Sequence, residues 1–134
     1  NPNIVQVTTI NGKSMGYGLS TTNAVMVPPD SAFVSTGVPV GHVYKINSIT
    51  VSNVSTGTTA HVSVWRSSGG NAGPYGTGSL SGYLAYQIDI PPKATISILG
   101  KSTSIYLNES HRIVASTNVA LGTLQFNCSY EDIS

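Results

Sequence analysis

The chain has 134 residues, a formal net charge of +1, 8% Asp, Glu, Lys and Arg, and 40% hydrophobic residues. That length suits one domain and leaves no core for a second, and the apolar fraction with so little charge excludes a disordered chain. Six basic residues against five acidic ones offer no patch able to neutralise a run of phosphates, so nucleic acid is not an expected partner.

Residues 1–41 hold short apolar pieces, Ile4 to Ile10 and Ala24 to Val27, broken by Asn11-Gly12, Pro28-Pro29 and Gly37 to Gly41. The pattern is too interrupted to supply a full layer. It predicts an irregular, partly β N-terminal arm or edge segment that completes its hydrogen bonds against the sandwich of residues 42–134 or against a neighbouring subunit. An ordinary first hairpin of that sandwich is the plainer alternative. Ile4, Val5, Val7 and Ile10 are the candidate partner-contacting residues of the arm.

From Lys45 onward apolar residues alternate at period two, with turn residues between the runs. Tyr44 to Val54 reads as a strand with a parity change between Ile46 and Ile49, which predicts a bulge near Asn47 and Ser48. Thr59 to Arg66 places Ala60, Val62 and Val64 on the core face and His61, Ser63 and Trp65 on the outer one. Ser67 to Gly82, with its glycines and Pro74, reads as a long loop. Tyr83 to Ile90 resumes the alternation with Leu84, Tyr86, Ile88 and Ile90 on one face, and Pro91-Pro92 stops it because neither ring donates to a ladder. Ala94 to Leu99 is a short strand, and Ser104 to Leu107 with Arg112 to Ser116 reads as a hairpin about Asn108 to His111. Gly122 to Ile133 closes the chain with Leu124, Phe126, Cys128 and Tyr130 facing the core. The fold class is therefore all-β, an antiparallel β-sandwich of jelly-roll or immunoglobulin-like type.

Chemistry is sparse. His42, His61 and His111 share no ligand spacing, and Glu109-Ser110-His111 sits in a turn where polar residues are the default, so no catalytic residue, metal site or cofactor is expected and the protein reads as no enzyme. Cys128, the single cysteine, shares parity with Leu124 and Phe126 and reads as a buried hydrophobe. The glycine-rich stretch lacks the Lys-Ser or Lys-Thr of a phosphate-cradling loop. No run of about 18 apolar residues is present, so a membrane partner is not expected either. Trp65 and Tyr75 are the aromatic candidates for contact with a partner, whereas Tyr83 and Tyr86 have opposite parity and read as divided between layers.

Taken in order, HVYKINSITVSNVSTGTTAHVSVWR, LAYQIDIPPKATISIL, IYLNESHRIVAST and LQFNCSYEDIS resemble a family of small virion proteins of tailed bacteriophages. Their pattern runs through a strand ending in Asn, a small-residue turn, an "I-P-P" or "I-P-A" step, a "yL-x-x-g-x-x-I" hairpin and a terminal "Y-E-x-I-S". Glu109-Ser110 stands where the hairpin glycine is often found. The resemblance covers residues 42–134 and implies a β-sandwich displayed on the virion, on the capsid or tail surface. A capsid cement or decoration protein is the leading expectation, binding major capsid protein subunits or other virion proteins, as a homotrimer or higher oligomer. A neck or tail structural protein, or a tail-borne host-recognition or carbohydrate-binding module, is the alternative.

Overall fold

The structure is a computed structural model that describes residues 9–19, 25–28, 37–68, 79–119 and 122–134. The strands are β1 (Ile10–Gly18), β2 (Val25–Val27), β3 (Val43–Asn53), β4 (Ala60–Ser68), β5 (Ser79–Ile90), β6 (Thr95–Leu99), β7 (Ile105–Leu107), β8 (His111–Thr117) and β9 (Leu124–Ile133). One sheet has the order β1-β9-β3, with β6 and β7 both running along the far side of β3; the other has the order β2-β8-β4-β5. Every strand pair is antiparallel. Apart from the β4–β5 connection and the break between β6 and β7, each step along the chain crosses from one sheet to the other, which is the winding of a jelly roll. Of the two expected sandwich types, the strand order is that of the first.

One core lies between the layers. Ile46, Ile49, Val51, Phe126 and Cys128 from the five-stranded sheet meet Val62, Val64, Ile90, Ile113 and Ala115 from the four-stranded one, all buried. Each large aliphatic or aromatic chain removed from water there contributes about 1.5 to 3 kcal/mol, which is how a chain with one unpaired cysteine holds its shape. The expected bulge in β3 lies at Asn47: the β3–β9 register shifts between Ile46 and Ser48, and the extra residue turns both Ile46 and Ile49 inward.

Asn53, at the end of β3, is buried and fully used. Its Nδ2 donates to Thr58 O and to Ile90 O, each at 2.8 Å, and its Oδ1 accepts from Ser55 N–H at 2.9 Å. Its backbone adds Asn53 N–H to Ala94 O and Lys93 N–H to Asn53 O. One side chain thus joins the β3–β4 crossover to the end of β5.

One expectation resolves to the first of its alternatives and two change. The edge segment of residues 1–41 contributes a strand to each sheet: β1 pairs with β9 over nine residues, and β2 pairs with β8, so its described hydrogen bonds close against the sandwich itself. Both ends of the loop expected over Ser67 to Gly82 are strand, since β4 runs to Ser68 and β5 starts at Ser79, with Gly82 (φ +148°) inside an irregular strand; residues 69–78 lie outside the described residues. Ser104 to Leu107 and Arg112 to Ser116 are not a hairpin, because β7 pairs with β3 and β8 pairs with β4 in the opposite layer. Val38 intervenes there, accepting from Ser110 N–H and donating to His111 O, so the turn becomes a corner between sheets.

Candidate aromatic cleft

One surface cleft is made by irregularity in β5. Val62 faces Ile88 and Val64 faces Ala85, so Tyr86 and Gln87 both stand opposite Ser63. Gln87 takes the left-handed conformation at φ +48°, and its N–H donates to Ser63 Oγ at 3.0 Å. A second shift follows at once, with Val64 facing Ala85 and Trp65 facing Tyr83, leaving Leu84 as the extra residue. Two bulges therefore bring Tyr83 and Tyr86 together. Their rings meet edge to face at 4.9 Å, and the Tyr83 ring lies 5.8 Å from that of Trp65.

These three rings line a cleft of about 340 Å³ on the outer face of the four-stranded sheet. His61 and Ser63 of β4, Gln87 of β5, and Ser116, Thr117 and Asn118 at the end of β8 complete the lining. The β8 end is pinned, since Asn118 Oδ1 accepts from His61 N–H at 3.0 Å and Thr117 Oγ1 donates to His61 O at 2.9 Å. Tyr83 and Tyr86 are about half exposed, at 47% and 58%. Trp65 is 2% exposed, and its indole Nε1 is buried without a hydrogen-bond partner among the described residues. The lining side chains include no Asp, Glu, Lys or Arg.

No family model and no curated protein matches the chain.

The candidate contact residues named from the sequence are scattered by comparison. Ile10 is exposed at the start of β1. Trp65 faces outward from the core, as its parity requires, yet it lies beneath Tyr83 rather than in open solvent. Ile4, Val5, Val7 and Tyr75 lie outside the described residues. Tyr83, Tyr86, Gln87 and Asn118 are the residues sequence reading missed: alternation alone put Tyr83 and Tyr86 on opposite faces, and the two register shifts, at Tyr86–Gln87 and at Leu84, reunite them.

Other ionisable groups lie outside the cleft lining. His42 Nδ1 is 2.6 Å from Asp132 Oδ1, and Lys13 Nζ is 3.9 Å from Asp132 Oδ2. Glu109 accepts from Gly41 N–H at 2.7 Å. Desolvation, then the charges of Arg66 and Arg112, hold the His111 imidazole below its usual value. Cys128 is buried, and desolvation pushes its thiol up to about 12. Among the described residues no three His, Cys, Asp or Glu side chains converge as metal ligands would.

Proposed function

We propose that the protein is a structural, non-enzymatic component of a tailed-phage virion, a capsid cement protein that binds major capsid subunits through the edge of β1 that no described strand covers. The observation that carries this reading is the character of that edge. β1 holds an unshifted register with β9 for nine residues, contains no proline, and is exposed from Ile10 to Ser14. Natural edge strands are commonly guarded by bulges, prolines or charge. β1 carries one lysine, Lys13, and its ammonium leans toward Asp132.

Such an edge suits strand addition by an extended segment of a capsid subunit, in which backbone hydrogen bonds supply affinity and side chains the register. The low charge of the whole chain fits attachment by apolar burial and backbone pairing over at least about 1,000 Å². The resemblance of residues 42–134 to phage virion proteins supplies the setting.

Quantitative gel or mass-spectrometric analysis of purified virions tests the reading. A copy number comparable with that of the major capsid subunit is expected. Far fewer copies would move the protein to the neck or tail, and its absence from particles would overturn the proposal.

A further inference from the structure

Separately from attachment, we propose that the aromatic cleft on the outer face of the four-stranded sheet binds one neutral sugar ring of a glycan. The cleft belongs to the layer that does not contain β1, so occupancy of one leaves the other open.

Two features select this ligand. Tyr83 and Tyr86 present half-exposed rings set edge to face, giving walls at an angle rather than a single flat platform. A pyranose has apolar C–H faces that stack on such rings and hydroxyls at its rim. Around the rings stand hydroxyl, amide and imidazole groups from Ser116, Gln87, Asn118 and His61, which can both donate and accept, as sugar hydroxyls do. A proline-rich peptide would use the rings and leave this polar rim idle, and an anionic sugar would find no cation in the lining. The volume, about 340 Å³, falls at the small end of the range of small-molecule sites.

Trp65 lies beneath Tyr83 as the floor of the cleft, its indole 2% exposed, so that it backs the tyrosine walls without facing solvent.

The chain has a single tryptophan, so emission from Trp65 reads this cleft directly. The full chain is titrated with glucose, galactose, mannose and N-acetylglucosamine, each as its methyl glycoside, and in parallel with sialic acid and a proline-rich peptide. A saturable change in Trp65 emission with at least one neutral glycoside is expected. Tyr86→Ala should weaken that binding at least about tenfold with its unfolding midpoint unchanged, while Tyr86→Phe, which keeps the ring, should retain it. No saturable change with any neutral glycoside up to about 10 mM, a range that still detects millimolar affinity, would overturn the proposal. So would wild-type affinity in Tyr86→Ala, or binding of the anionic sugar or the peptide in place of the neutral ones.

Discussion

Among the described residues β1 and β5 each end a sheet, and they end it in opposite ways. β1 keeps one residue opposite one residue along its whole length against β9, whereas β5 shifts register three times against β4 and holds Gln87 at positive φ. A flat edge leaves its outer row of N–H and C=O groups in line for another strand; a bulged edge twists that row out of line. In β5 the same irregularity that blocks pairing gathers Trp65, Tyr83 and Tyr86 into a cleft. One edge leaves room for a backbone to join it, the other for a small ligand beside it.

The comparison presumes a common core, and the largest expected effect removes it. Phe126→Ala, in the strand that carries β1, should cost about 3 to 5 kcal/mol from lost transfer energy and the cavity left behind. Urea unfolding measures this, and a loss under about 1 kcal/mol would show that the two layers pack less tightly than their burial indicates.

Alkaline pH should come next, and it acts on the β1 side. Burial pushes the Cys128 thiol from 9.0 up to about 12, and the Tyr130 phenol from 10.0 up to about 12. Both belong to β9. The unfolded chain gives up these protons first, so their contribution is whole below about pH 9 and is lost as pH rises toward 12. Unfolding midpoints in an alkaline pH series should fall, and Cys128→Ala should flatten the earlier part of the fall. In native protein below pH 9 the thiol should react with a labelling reagent only as fast as the sandwich opens.

A charge on the flat edge sharpens the contrast. A Cβ at Gly12 meets nothing within 4 Å, so Gly12→Lys should leave stability within about 0.5 kcal/mol. It should nonetheless reduce retention on purified particles about tenfold, a difference near 1.4 kcal/mol, because a second lysine now guards the edge beside Lys13. Unchanged retention would exclude β1 as the attachment edge. Retention of the unaltered protein should change little between low and moderate salt.

The smallest effect belongs to the bulged edge. Gln87→Gly relieves the left-handed backbone and should stabilise by up to about 1 kcal/mol, read as a rise in Tm. A fall in Tm would mean that the Gln87 side chain, and not only its N–H to Ser63, holds the bulge.

The two bulged strands also show what the sequence could disclose. The Asn47 bulge was legible because Ile46 and Ile49 break alternation with two residues that must both be buried. The Gln87 bulge was hidden, since Leu84, Tyr86, Ile88 and Ile90 alternate without a fault and tyrosine is equally at home inside or outside. Ile88, with the core parity, is 41% exposed on this edge strand, and Tyr86 lies in the cleft. The burial of Leu124, Phe126, Cys128 and Tyr130 followed from simple parity. Sheet membership did not: Asn108 to Ser110 has the residues of a hairpin turn, and only the pairing of Val38 with this corner sends β8 to the other layer.

Asn53 bears on how the protein is made. Its side-chain amide has its partners only when the turn at Thr58 and the carbonyl of Ile90 are both in place, and Ile90 lies 37 residues further along. A nascent chain that has emerged only through β4 would have to bury an amide with its bonds half made, or keep the crossover open to water. Closure of the β3–β4 corner is therefore tied to the arrival of β5, and the sandwich should assemble late and all at once rather than strand by strand as it leaves the ribosome.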